Sequence, residues 1–391
     1  MTLASLPARS SRATPTDRPR AVYLHVPFCP HVCPYCDFHK MRRDERLVAR
    51  YLDRLEEEIE AAGERWGGPL DTVYLGGGTP SHLSDGELAR VMEALGRAFE
   101  LPARRETTME ADPRTFDAAR LRAFRALGVD RLSIGLQSTQ DAVLRFLGRA
   151  HDAREGMAAV DAAQDAGFAV SADLITAVPG QDVRADLDTL AATGVPHVSV
   201  YTLTVEPYTP FAMRRVHVDD DRAADDYALA AEILAEHGYR RYEVSNHARP
   251  GYEAVHNQVY WHGDPFLGLG PSAAGYLPTE DGLGERVTNP PIKAWLRGDA
   301  PERERPDARG HALERLMTGL RTARGVDLDA LRARCGVDVR DRWADVLWDE
   351  LAGGRLTLVP ADPAAGRGAT LRATDAGLLV LDGVLRRFFA S

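Results

Sequence analysis

The sequence predicts an α/β fold built on a parallel sheet, with a smaller module behind it. Three observations carry that reading. Six short apolar or β-branched runs alternate with amphipathic helical segments between residue 21 and about residue 200, the residues able to do chemistry fall at the ends of those runs, and the rhythm changes past residue 240. The strands are expected at 22–26, 72–76, 106–111, 131–136, 169–175 and 197–204. Helices are expected near 43–62, 84–99, 116–127, 139–147, 152–166 and 182–193. Such units in series make right-handed crossovers and form either an open doubly wound sheet or a barrel; in both, functional groups collect at the C-terminal strand ends. Cys29 follows the first strand, Gly76-Gly77-Gly78-Thr79-Pro80 the second, Glu110 and Asp112 the third and Gln137 the fourth, while Asp173 lies late in the fifth.

Composition narrows the function. The 391 residues carry 48 basic and 58 acidic side chains, a net charge of −10, which argues against broad binding to nucleic acid or anionic membranes. No apolar run approaches the roughly 18 residues of a membrane span, so a soluble chain is expected. Three of the four cysteines lie within eight positions, which suits a reducing cytoplasm better than a disulfide framework. Lys40 and Lys293 are the only lysines, leaving almost nowhere for a phosphate-loop or Schiff-base lysine. Residues 1–20, with Arg9, Arg12, Arg18 and Arg20 among Ser, Thr, Pro and Ala, read as a disordered tail.

The strand–helix core is expected over 21–240, ending with a helix near 221–237. A Gly/Pro/aromatic-rich extension over 241–305 follows, with a short strand at 242–244 and a linker at 300–308. Residues 306–391 read as an α+β module: helices near 309–322, 327–334 and 339–352, strands near 355–359 and 369–373, and a last helix from 375. Three helices and a hairpin are winged-helix-like. The acids Asp327, Asp329, Asp338, Asp341, Asp345, Asp349 and Glu350 oppose DNA binding and favour a scaffold or lid over the barrel mouth.

Cys29-x3-Cys33-x2-Cys36 is the most informative motif. Three thiolates on one short loop can hold three corners of a four-iron cluster and leave one iron open to a ligand. The alternative is a Cys3His zinc site completed by His31 or His39. Cys335, far away in the tail module, reads as an inert thiol. The glycine run fails as a phosphate loop, because no Gly-Lys-Ser/Thr follows, and Ser81 stands where a dinucleotide fingerprint needs its third glycine.

With Tyr35 before Cys36, the loop resembles the Cys-x3-Cys-x-aromatic-Cys signature of the radical S-adenosylmethionine (SAM) superfamily. The resemblance implies a partial (β/α)6 TIM-like barrel, a [4Fe-4S] cluster on Cys29, Cys33 and Cys36, and SAM chelated to the open iron. It also implies an electron donor such as flavodoxin or ferredoxin, whose electron breaks the sulfonium bond to release a 5'-deoxyadenosyl radical. The glycine run would then receive the SAM amine, bringing Gly77, Gly78, Thr79 and Pro80 to the cofactor. Tyr23, Tyr35, Glu110, Gln137, Arg149 and Asp173 stand at family-like positions. Chemically, Glu110 can accept from the ammonium, Arg149 can meet the carboxylate, and Asp173 with Gln137 can bond the ribose hydroxyls.

The segments Tyr23 to Phe38, Leu75 to Pro80 and Arg131 to Ser138 resemble the oxygen-independent coproporphyrinogen III oxidase family, which includes the HemW-type haem chaperones. The oxidases carry an extra cysteine where Phe38 stands, and a longer segment before the loop than the 28 residues preceding Cys29. The chaperone branch carries His-Asn-x-x-Tyr-Trp, present as His256-Asn257-Gln258-Val259-Tyr260-Trp261. That resemblance implies haem contacts from His256, Asn257, Tyr260 and Trp261, with His256 as axial ligand. It implies transfer to a haem-acceptor protein, peripheral contact with a membrane haem protein, and a homodimer. The alternatives are radical decarboxylation of a porphyrinogen's propionates by an anaerobic coproporphyrinogen III oxidase, and a zinc-stabilised binding protein without redox chemistry.

Overall fold

The computed structural model describes residues 18–362, 364 and 366–391. Residues 1–17 of the expected tail lie outside the described residues. Arg18 and Arg20, placed in that tail by sequence, are instead fixed. Arg18 donates to the carbonyls of Gly67 and Pro69, both at 3.2 Å, and Arg20 forms a two-point ion pair with Asp71.

β1 (Ala21–Val26) is buried at five of its six positions, as a strand covered on both faces must be. α1 (Glu45–Trp66) starts at Asp44, whose carboxylate accepts the Leu47 N–H at 2.9 Å, and buries Val48, Tyr51, Leu52, Leu55 and Ile59 along one stripe. β2 (Thr72–Gly77) leads to α2 (Asp85–Ala98), which opens with a Ser84/Glu87 capping box. β3 (Glu106–Ala111), α3 (Ala118–Ala126), β4 (Arg131–Gln137) and α4 (Asp141–Phe146) follow. α5 (Ala153–Asp165) has a second capping box, Asp152 with Glu155, and leads to β5 (Ala169–Thr176), α6 (Val183–Ala192), β6 (His197–Thr202) and α7 (Asp220–Glu236).

β1 to β6 pair in sequence order and all in parallel. The six units form the partial, TIM-like barrel, its sheet left open. The expected strand at 242–244 is instead the bend between β7 (Arg240–Arg241) and β8 (Asn246–Ala248), which extend the sheet antiparallel beyond β6. α8 (Val255–His262) carries the His256–Trp261 motif. β9 (Leu267–Leu269) then joins the opposite edge, parallel to β1, completing nine strands. β10 (Ala274–Leu277), β11 (Glu285–Thr288) and β12 (Glu302–Glu304) form a separate antiparallel sheet, so part of the expected linker is a strand.

In the last module, α9 (Ala308–Gly319), β13 (Val326–Asp327), α10 (Leu328–Cys335), α11 (Ala344–Ala352), β14 (Leu356–Val359), β15 (Thr370–Ala373) and α12 (Leu381–Ala390) enclose their own core. Leu316, Trp343, Leu347, Leu371 and Phe388 are its centre. The helix expected over 339–352 breaks at Trp343 (φ −127°, ψ 36°), which buries its indole instead. No helix among the described residues is long and apolar enough to cross a membrane.

Glu58 ties the extension to the barrel. From α1 it accepts the Gly270 N–H at 2.8 Å, the Asn289 amide at 2.7 Å and the Trp295 indole N–H at 3.1 Å. Glu58→Ala orphans three donors at once and is expected to cost about 2–4 kcal/mol. Urea unfolding checks this; a loss near zero would show that water replaces the carboxylate.

Candidate metal and cofactor site

The cysteine loop leaves β1 and is clamped at both ends. Thr79 N–H donates to the Phe28 carbonyl at 2.9 Å, Met41 N–H to the Pro27 carbonyl at 2.8 Å, and Phe28–Cys29 runs parallel to Met41–Arg42. Lys40 donates to the Cys36 carbonyl, closing the loop on itself. Tyr35 packs against Phe211, ring centroids 6.2 Å apart, beside a small apolar cluster that includes Val143, Leu147 and Ile175. Its ring anchors the loop.

Cys33 is buried, Cys29 and Cys36 partly so. Burial pushes the Cys29 thiol up to about 11 and raises Cys36 too. Burial alone would also raise Cys33, but the His31 bond and the Arg149 guanidinium override it, and its thiol is lowered. Arg149 donates to Cys33 Sγ at 3.2 Å, to the Gly135 carbonyl at 3.0 Å and to Asp112 Oδ2 at 2.7 Å. Arg149 Nε and His31 Nε2 are buried without a partner.

The glycine run does two jobs. A Cβ on Gly77 (φ 106°) would lie 2.4 Å from His25 Cε1, and one on Gly78 would lie 2.7 Å from the Val26 carbonyl oxygen. Both glycines therefore permit contact between β2 and the start of the loop. Gly76 faces the lumen, where a Cβ would meet Tyr74, Glu110 and Tyr23 at 2.8 to 3.0 Å. His25 links the elements: Nδ1 accepts from the Tyr23 hydroxyl at 3.0 Å, and Nε2 donates to the His39 carbonyl at 2.8 Å.

Strand register sets the polar groups of the lumen. Tyr23 stands beside Tyr74, Glu110 beside Ser133, and Asp173 beside Ser199. Glu110 accepts the Tyr74 hydroxyl and the Gly77 N–H, each at 2.9 Å, and burial holds its carboxyl up at about 7. Asp173 accepts the Ser133 hydroxyl at 3.0 Å and is raised by burial to about 6. Neither carboxylate has a cationic side chain within ion-pair distance among the described residues. The donor set thus fits a cationic ligand carrying its own carboxylate: two uncompensated acids, an orphaned guanidinium N–H, and three thiols beyond them. Among the described residues no three His, Cys, Asp or Glu converge as they would on a single metal ion.

The profile of the radical SAM superfamily matches residues 23–192, and that of the HemN C-terminal domain matches 307–360. Curated proteins named haem chaperone HemW are similar over most of their length. The one from Lactococcus lactis is 34% identical, covering 79% of this chain and 83% of the relative. Those from Bacillus subtilis and Mycobacterium tuberculosis are 32% and 35% identical, covering 84% and 90% of this chain and 90% and 93% of the relatives. The chain belongs to the HemW family. The solved structure of coproporphyrinogen III oxidase (HemN) from Escherichia coli shares the fold, with a TM-score of 0.80 and 22% identity over 95% of this chain and 90% of that one. Membership of the radical SAM superfamily implies a [4Fe-4S] cluster and SAM in this HemW-family chain.

Arg149 meets Cys33, Gly77 meets Glu110, and Ser133, which stands beside Glu110, donates to Asp173. Gln137 sits at a β4 bulge with φ 68°, its amide near Gly135. Thr79 and Pro80 are buried at the turn after β2. Asp112, placed after the third strand by the sequence but given no role there, is 6% exposed and pairs with Arg149; its place two residues after Glu110 on the same strand end was the available signal. His25 and Tyr74 were likewise given no role by the sequence.

His256, expected as the axial haem ligand, is fully buried, with Nδ1 2.7 Å from the Thr72 hydroxyl and Nε2 2.6 Å from the Tyr260 hydroxyl. Burial lowers its pKa to about 3, so the ring stays neutral. Axial ligation would require Tyr260 or Thr72 to let go.

Proposed function

We propose that this protein is a haem chaperone on a radical SAM scaffold, binding haem and passing it to an acceptor haem protein. The observation that carries the reading is the similarity to HemW chaperones across most of both chains. Phe38, where the oxidases carry a further cysteine, supports the chaperone over the coproporphyrinogen oxidase.

Cys29, Cys33 and Cys36 would hold the cluster, and Glu110, Arg149, Gln137 and Asp173 the SAM. When bound, the cluster and SAM supply one-electron chemistry at the sulfonium, fed by a reductant such as flavodoxin or ferredoxin. The residues' own work is electrostatic. Glu110 receives a cation that no side chain supplies, Arg149 offers its orphaned Nε to a carboxylate while Asp112 fixes its plane, and the Ser133 bond aims Asp173 at a diol. Within the motif, haem contact falls to Asn257 and Trp261, which keep some solvent exposure while His256 and Tyr260 are engaged with each other.

The test is anaerobic reconstitution followed by haem titration, transfer to an apo haem protein, and coproporphyrinogen turnover in parallel. Stoichiometric haem binding and transfer without decarboxylation is expected. Decarboxylation with SAM, or no haem binding, would overturn the proposal. Cys33→Ser is expected to lower bound iron at least tenfold.

A further inference from the structure

The His256–Trp261 segment lies against the floor of the lumen. α8 has no capping side chain of its own at Ala254; the Glu106 carboxylate of β3 accepts the N–H groups of Val255 and His256 at 3.1 and 2.9 Å. Glu106 is in turn paired with buried Arg131 of β4, which also bonds the Tyr252 carbonyl. At the other end, Gly263 (φ 63°) leaves room for the Arg315 guanidinium, which occupies the place of its missing Cβ. The helix is therefore fixed at both ends.

From this helix the His256 ring stacks on Tyr74, centroids 5.1 Å apart and planes at 29°, while Tyr260 meets it edge-on at 5.0 Å. The Thr72 bond pins the same ring to the strand that carries Tyr74. Tyr74 then spends its hydroxyl on Glu110, which also holds the Gly77 N–H. One continuous run of contacts joins the motif to the proposed ammonium acceptor.

We infer that His256 and Tyr260 are positioning residues for SAM, acting through Tyr74 to aim Glu110, and that His256 is not a haem ligand. Loosening the His256 ring frees Tyr74 to rotate, and a Glu110 without its Tyr74 bond swings away from the position the ligand needs. The inference rests on reading Glu110 as the ammonium acceptor.

The test uses the reconstituted full chain with His256→Ala, Tyr74→Phe and Glu110→Gln. SAM affinity is read by equilibrium dialysis, the SAM-induced change in the reduced cluster's electron paramagnetic resonance by spectroscopy, haem affinity by titration, and folding by circular dichroism. H256A and Y74F are expected to weaken SAM about tenfold and blunt the spectral change, with haem affinity unaltered. Y74F removes one oxygen, so it remains informative if H256A does not fold. Unchanged SAM affinity in Y74F, or loss of haem binding in a folded H256A, overturns the inference. If E110Q binds SAM like the parent, the acceptor reading beneath it fails; if E110Q is weakened while H256A and Y74F are not, only the brace fails.

Discussion

Gly77→Ala is expected to destabilise the protein by about 3–4 kcal/mol and to lower both iron retention and SAM binding at least tenfold. An alanine at φ 106° is strained by about 1–2 kcal/mol, and its methyl would stand 2.4 Å from His25 Cε1. The imidazole must move, breaking its bonds to the Tyr23 hydroxyl and the His39 carbonyl, and the second bond holds the far end of the cysteine loop. The Gly77 N–H also leaves Glu110. Gly86→Ala is the internal control: this α2 position has nothing within 4 Å of a new Cβ and should gain a few tenths of a kcal/mol. Denaturant unfolding with iron analysis checks both, and a Gly77→Ala protein that keeps its iron would show that His25 does not govern the loop.

Glu110→Gln is expected to stabilise the empty protein at pH 8 while weakening SAM. Burial holds the Glu110 carboxyl at about 7 against an ordinary 4.5, so the folded state grips the proton more tightly than the unfolded chain does. The penalty for ionising it in the folded state begins above pH 4.5, grows to about pH 7 and is constant beyond. At about 1.4 kcal/mol per pH unit its ceiling is about 3 kcal/mol, which water entering the open lumen reduces to about 1–2 kcal/mol. Glutamine removes the charge and keeps the shape, and the Tyr74 hydroxyl can turn to accept its amide. Stability curves for parent and variant should therefore meet near pH 4 and separate by pH 8. A variant less stable at pH 8 would mean that a cation already compensates the carboxylate.

The six parallel strands were legible because each is a short, largely buried run such as Ala169 to Thr176, where apolar Val170, Ala172, Leu174 and Ile175 outnumber the polar positions Ser171 and Asp173. The ends of those runs marked most of the site, since Cys29, Gly77, Glu110 and Asp173 cannot sit elsewhere once the strands are parallel. The edges were not legible: β9 is Leu-Gly-Leu and β12 is Glu-Arg-Glu, three-residue strands that exist only because a neighbour offers a free edge. His256 shows the other limit. An imidazole beside aromatics reads as a ligand until the fold brings Thr72 from 184 residues away to one nitrogen and Tyr260 to the other. Asp112 failed for the opposite reason, because its partner Arg149 lies 37 residues on in another loop.

The most direct measurement of the central claim is the iron content and electron paramagnetic resonance of anaerobically reconstituted, reduced protein, recorded with and without SAM. Three thiolates leaving one iron open predict about four iron and four sulfide per chain and a signal that changes when SAM binds. Zinc in place of iron, iron retained when Cys29, Cys33 and Cys36 are all replaced by serine, or a signal indifferent to SAM would contradict it.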